Sequence, residues 1–211
     1  MDIKKADAGI IERILTNRTP GPEGVRDKFA VLALLLESEG ELSLLFEKRA
    51  MTLNRQPGEI SLPGGRSEPG ESPLDTALRE TFEELRIPPD NIRMLGQTDF
   101  VVTFYNTVIS PFVGYCPGLS AGDIDFSRDE VAGVFTVPLS FFIENTPRKK
   151  HLSFEMSVPE DFPYDLIPNG RSYKWASPRR YRELFYEYEG HVIWGLTARI
   201  ITHICSLITN Y

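Results

Sequence analysis

The segment from Gly64 to Leu85 constrains this chain more than any other stretch. Two adjacent glycines lead into a predicted helix, and sequence signals mark both the residue where it begins and the residue where it ends. Ser72 is a helix cap, Pro73 occupies the first helical position, and Asp75 follows three residues after the cap. Pro88 and Pro89 stop further propagation. The sequence therefore predicts one helix ending near Leu85, entered from a loop in which glycine allows close backbone approach.

The predicted helix carries Glu80, Glu83 and Glu84 on one face, although like charges three and four positions apart repel each other. Carboxylate oxygens are the ligands that magnesium and manganese prefer, and a divalent ion would turn this repulsion into attraction. A backbone carbonyl of the glycine pair could complete the ion's shell. We therefore expect a metal site at Glu80, Glu83, Glu84 and Gly65; the alternative is an ordinary solvated helix face.

A second face of the same helix is apolar, with residues spaced by four, four and three positions: Leu74, Leu78, Phe82 and Leu85. This stripe should pack against a sheet.

Apolar, β-branched and aromatic runs elsewhere predict strands that form that sheet. We expect a hairpin from residues 28–37 and 41–49, two strands within 92–113, a strand at 131–137, and a hairpin joining 151–158 to 184–188 across a long loop. Further helices are predicted near the amino terminus, after Pro138 and at 196–208.

Composition limits the function classes. The chain has 211 residues, 41% of them hydrophobic, and so can build a globular core. A net charge of −7 without a basic tail argues against a nucleic-acid partner. Cys116 and Cys205 fit neither a zinc site nor a disulfide framework, and no apolar window is long enough to span a membrane. We expect a soluble, cytoplasmic protein without a membrane partner.

The spacing of the central segment resembles the Nudix box of metal-dependent hydrolases. Gly65 is followed by five residues, Glu71, seven residues, Arg79-Glu80, two residues and Glu83-Glu84. The resemblance implies an α/β fold, an α/β/α sandwich with a mixed β-sheet, and a single Nudix hydrolase domain over residues 1–211. Thr81 and Arg86 depart from the pattern, which usually has an apolar residue and a glycine there.

The resemblance also implies roles for these residues in cleaving a nucleoside diphosphate derivative. Glu80, Glu83 and Glu84 would carry Mg²⁺ or Mn²⁺, Arg79 would hold a neighbouring glutamate, and Glu71 would support the loop or the metal waters. The general base is open. Glu130, before a predicted strand, is the best candidate outside the motif, with a solvated acid as an equal alternative.

The substrate must be chosen outside this motif. Residues 45–65 resemble the coenzyme A pyrophosphatase subgroup, in which Arg49 and Gly58 keep their places, while Asn54 and Leu62 depart. Arg49 and Arg55 would contact phosphates, beside the loop formed by Gly64 and Gly65. The expected activity is hydrolysis of coenzyme A or acyl-CoA. The alternatives are an ADP-ribose or related hydrolase and a non-catalytic nucleotide sensor; a homodimer is compatible with the sequence.

Overall fold

The computed structural model describes residues 7–175 and 179–210. Four helices occur in this part of the chain: α1 (Ala8–Thr16), α2 (Pro73–Leu85), α3 (Leu139–Glu144) and α4 (Gly195–Thr209). The strands are β1 (Asp27–Ser38), β2 (Glu41–Arg49), β3 (Ile60–Ser61), β4 (Gly64–Arg66), β5 (Arg93–Gln97), β6 (Val101–Val102), β7 (Thr107–Tyr115), β8 (Val131–Pro138), β9 (Arg148–Phe154), β10 (Arg179–Tyr188) and β11 (His191–Trp194).

The main sheet is mixed and is centred on β1. This strand pairs antiparallel with β2 through a turn at Glu39-Gly40, as the sequence predicted, and parallel with β7 over nine residue pairs that begin at Asp27 and Thr107. The short strand β4 also pairs with β1, and β8 pairs with β2. The glycine pair is therefore part of the sheet at its centre.

Alternate residues of β1 enter two different cores, because successive side chains of a strand point to opposite faces. Ala30, Leu32 and Leu34 pack with α2 on one face. Ala33 and Leu35 pack on the other face with α4 and the second sheet. The predicted α/β/α sandwich with a mixed sheet is confirmed.

The second sheet is antiparallel, in the order β11-β10-β9. The two strands predicted at 151–158 and 184–188 do pair, as β9 and β10, but β9 spans 148–154 and β10 spans 179–188. The strand β11 was missed. Glu189 and Gly190 both have positive φ, so they form a two-residue turn that returns the chain as a strand before α4 begins.

The predicted apolar stripe of α2 is wrong in part. Phe82 is 44% exposed, whereas Ala77, Thr81 and Leu85 are buried. The helix is turned in this way because Glu84 faces the sheet, where its carboxylate accepts a hydrogen bond from the Gly64 amide. Thr81 tolerates burial because its hydroxyl donates to the Ala77 carbonyl oxygen at 2.7 Å.

The predicted amino-terminal helix is α1, and Asp7 caps it by accepting a hydrogen bond from the Ile10 amide at 2.9 Å. Over residues 7–175 and 179–210, no helix combines the length and apolar character needed to cross a bilayer.

Candidate active site

The glycine pair occupies positions where a side chain does not fit. A β-carbon on Gly64 would lie 2.3 Å from the Ala30 carbonyl oxygen, and the residue has φ +146°. A β-carbon on Gly65 would lie 2.3 to 2.5 Å from three carboxylate atoms of Glu80. The first glycine therefore permits sheet packing, and the second brings backbone against a predicted metal ligand.

Arg79 gathers three carboxylates of the site. Its guanidinium donates to Glu71 at 2.8 Å, to Glu80 at 2.9 Å and to Glu83 at 2.9 Å. The guanidinium and the Glu68 amide hold the pKa of Glu71 down at about 2. Arg79 also reaches the Arg66 carbonyl oxygen at 3.1 Å, so this one side chain joins the loop to the helix. Glu71 and Arg79 thus contact each other, and Arg79 contacts the loop; the catalytic roles that the family resemblance implies for them stay predictions.

Two further carboxylates of the site, Glu84 and Glu47, are buried. Burial and the charge of Glu47 raise the pKa of Glu84 to about 9, although the Gly64 amide donates to it at 2.8 Å. Burial likewise raises the pKa of Glu47 to about 7. Ser61 donates to one Glu47 oxygen at 2.9 Å, but the other buried oxygen has no hydrogen-bond partner among the described residues. Such a pair is costly unless a cation compensates it.

Glu47 is a site residue that sequence reasoning did not assign. It lies 1% exposed on β2, whose central residues are all buried. An acid within the apolar run LSLLFEKR was the available signal, since an acid is rarely buried without a partner.

Glu130 and Arg49 lie beside the carboxylates. The Ala50 amide donates to the Glu130 carbonyl oxygen at 2.8 Å, and the Ser127 amide donates to the Glu84 carbonyl oxygen at 2.8 Å. The charge of Glu130 raises the pKa of Glu47 and of Glu80, after the larger effect of burial. The charge of Arg49 lowers the pKa of Glu47 and of Glu84, against the larger effect of burial. The buried Nε of Arg49 has no hydrogen-bond partner among the described residues.

The chemistry of this donor set fits a divalent cation. Four carboxylates influence one another electrostatically there: Glu47, Glu80, Glu84 and Glu130. In the chain described from residue 7 to 175 and from 179 to 210, no three His, Cys, Asp or Glu side chains are already arranged as metal ligands. Glu80 and Glu83 instead bind Arg79. Ligation by Glu80, Glu83, Glu84 and the Gly65 carbonyl stays a prediction, and it requires those two side chains to exchange partners.

A cleft of about 800 Å³ opens beside Glu80 and the glycine-containing loop. Three cationic residues that the sequence analysis did not assign line it: Arg26, Lys28 and Arg66. Arg66 forms an ion pair with Asp27. Arg55 is exposed in the segment between β2 and β3 and is not among the residues that line this cleft. The cleft thus brings cationic side chains together with carboxylates of the cluster.

This glycine loop, carboxylate helix and mixed sheet define a class of protein. Residues 26–155 match the model of the NUDIX domain family, and the chain belongs to the Nudix hydrolases.

The similarity to individual relatives covers most of the chain. It is 30% identical over 202 residues to a Photorhabdus laumondii protein named "Uncharacterized Nudix hydrolase NudL", with coverage of 94% of this chain and 95% of the relative. It is 35% identical over 136 residues to Nudix hydrolase 3 of Caenorhabditis elegans, covering 60% of this chain and 54% of that protein. A MutT/nudix family protein from Enterococcus faecalis has a similar fold, with a TM-score of 0.50 at 14% identity over 98% of this chain and 71% of that one.

Proposed function

We propose that this protein is a metal-dependent hydrolase of the diphosphate linkage in coenzyme A or acyl-CoA. The products would be 4′-phosphopantetheine, or its acyl form, and adenosine 3′,5′-bisphosphate. The observation that carries the hydrolase proposal is the buried pair Glu47 and Glu84 beside the Gly64-Gly65 loop, in which one Glu47 oxygen has no hydrogen-bond partner among the described residues.

The carboxylates would hold Mg²⁺ or Mn²⁺, with Glu80, Glu83 and Glu84 as side-chain ligands and the Gly65 carbonyl as a backbone ligand. When bound, such ions neutralise phosphate oxygens and lower the pKa of a water molecule. Arg79 would keep Glu71 against the loop while Glu80 and Glu83 turn to the ion. Glu130, exposed at the edge of the cluster, is the candidate to accept the proton of the attacking water.

The cleft beside Glu80 is suited to a diphosphate, because Arg26 and Lys28 can contact oxygens that its carboxylates would repel in the absence of a metal ion. Coenzyme A is preferred over other diphosphates on the strength of the sequence resemblance at Arg49 and Gly58. Arg49 and Arg55 would contact its phosphates, and Arg49, whose Nε has no protein partner in the described chain, is the better supported of the two. Asn54 and Leu62 keep ADP-ribose and related diphosphates as a second candidate class.

Product identification by mass spectrometry tests this proposal. The purified protein is incubated separately with coenzyme A, ADP-ribose and NADH, each with Mg²⁺, with Mn²⁺ or with EDTA. Release of adenosine 3′,5′-bisphosphate from coenzyme A alone, abolished by EDTA, is the expected result. Cleavage of ADP-ribose or NADH instead would retain the hydrolase and reject the coenzyme A assignment. Failure to turn over any of the three would favour a nucleotide-sensing role.

A further inference from the structure

A second cleft, of about 810 Å³, lies between β10, α4 and the β6–β7 edge of the main sheet. Leu184 and Ile200 line it, and both belong to the core on the sheet face opposite α2. None of the residues assigned above to metal or diphosphate binding lines this cleft. It is therefore a site separate from the carboxylate cluster.

The lining of this second cleft is strongly cationic, whereas the whole chain carries a net charge of −7. Its cationic residues come from three elements: Lys149 on β9, Arg180 and Arg182 on β10, and Arg199 on α4. Asp99, the one acid that lines the cleft within the described residues, is bound to His203 at 2.8 Å. The positive charge of the cleft is thus largely uncompensated.

Strand register concentrates this charge. Lys149 lies opposite Leu184 and Arg182 lies opposite His151 on the same face, so the long cationic side chains of Lys149 and Arg182 are diagonal neighbours. Like charges placed together across two strands are destabilising. The described side chains include no ion pair to Lys149 or Arg182, although Arg148 on β9 is paired with Glu187 at 2.9 Å. An anion bound between the strands would relieve this repulsion.

An aromatic cluster adjoins the same cleft through Tyr181. Tyr181 lines the cleft, and its ring packs edge-on against Phe104, outside the lining, with centroids 5.2 Å apart. Phe104 is 47% exposed and contacts Phe154, which is 37% exposed, at 4.3 Å between centroids. Arg199 donates to the Tyr181 hydroxyl at 3.4 Å, so a cationic group and the aromatic cluster adjoin. Exposed rings of this kind can stack on a planar ligand.

We propose that this cleft is an anion-binding site that takes a small ligand carrying both phosphate and an aromatic ring, the chemistry of a nucleotide. The phosphates contact Lys149 and Arg182, and the aromatic ring of the ligand lies against Tyr181, which lines the cleft. The site does not depend on the hydrolase proposal.

Isothermal titration calorimetry with ADP as the probe tests the site, with EDTA present so that no metal-dependent binding at the carboxylates contributes. We expect one ADP per chain, with a dissociation constant that rises with salt. Lys149→Ala and Arg182→Ala should each weaken binding about tenfold, as loss of a charge-assisted contact does. Circular dichroism checks that each variant is folded; because Lys149 is exposed, its variant remains informative if Arg182→Ala does not fold.

Lys150→Ala is the matched control. Lys150 is an exposed neighbour on β9, pairs across the strands with Glu183, and does not line the cleft. It removes the same charge from a position outside the cleft lining, so ADP should bind this variant as tightly as the unmodified protein. Undetectable binding at millimolar ADP, or equal weakening by Lys149→Ala and Lys150→Ala, would overturn the proposal.

The ligand has two sources that share this chemistry: a second phosphate-bearing part of the substrate or a separate nucleotide. Kinetics with whichever diphosphate is hydrolysed distinguish them. A higher KM in Lys149→Ala identifies the substrate's own phosphate, whereas an unchanged KM with lost ADP binding identifies a separate ligand. Either result upholds the site. If no substrate is hydrolysed, the calorimetry still decides whether the site exists.

Discussion

Replacing Glu84 with glutamine should stabilise the metal-free protein while it removes activity. The Glu84 carboxyl is 4% exposed and lies against Glu47, and these conditions raise its pKa from 4.5 to about 9. Between these two values the folded chain retains a proton that the unfolded chain releases. Stability without metal must therefore fall as the pH rises through this window.

The structure sets the size of this effect. One pKa unit corresponds to about 1.4 kcal/mol, so the penalty at pH 7.5 cannot exceed roughly 4 kcal/mol. Part of it belongs to repulsion from Glu47, and a buried glutamine has its own desolvation cost. We therefore expect Glu84→Gln to gain about 1–3 kcal/mol at pH 7.5, or roughly 2–10 °C in Tm for a chain of this length. The glutamine oxygen can still accept from the Gly64 amide.

Thermal unfolding in EDTA from pH 5 to pH 9 is the assay, with Glu83→Gln as the control. Glu83 is half exposed and is not a member of the buried pair, so its substitution should not stabilise the protein as Glu84→Gln does. Activity of Glu84→Gln should fall more than about 100-fold, as expected for loss of a metal ligand. A Glu84→Gln protein that is less stable than the unmodified chain at pH 8 would refute the reasoning.

Three further predictions concern the loop and the helix. Gly65→Ala should fold but lose more than about tenfold in kcat/KM, because its methyl group displaces the Glu80 carboxylate. Gly64→Ala should unfold at a much lower denaturant concentration than the unmodified chain, because its methyl group clashes with backbone atoms, which cannot move aside. Arg86 ends α2 with φ +54°, so Arg86→Gly should raise the free energy of unfolding by about 0.5–1 kcal/mol and Arg86→Ala should not; equal stability of the two variants would contradict this. Glu71→Gln should lower kcat/KM by about 10- to 100-fold. This variant should be less stable than the unmodified chain at neutral pH, and the difference in free energy of unfolding should shrink as the pH falls towards 2, because Glu71 contributes stability only while its carboxyl is ionised.

The sequence predicted the helix α2 and the hairpin β1–β2 well, since caps, prolines and apolar runs are local signals. It could not predict which face of α2 is buried, because Glu84 turns inward through a bond to Gly64, twenty positions away. The role of Glu47 was missed for the same reason, because it depends on the residues that surround this side chain in the folded structure. The strand β11 was missed because four residues before a helix carry little periodicity. The basic clefts combine residues from distant elements, and no local spacing marks them.

The parallel pairing of β1 with β7 has a consequence for how the site is made. Residues 27 and 107 must meet before this ladder can form, and closing so long a loop is slow in comparison with forming a hairpin. The glycine loop and the helix α2 lie between those two residues, and Glu130 follows them. A growing chain can therefore bring these acids together only after β7 and the start of β8 have left the ribosome.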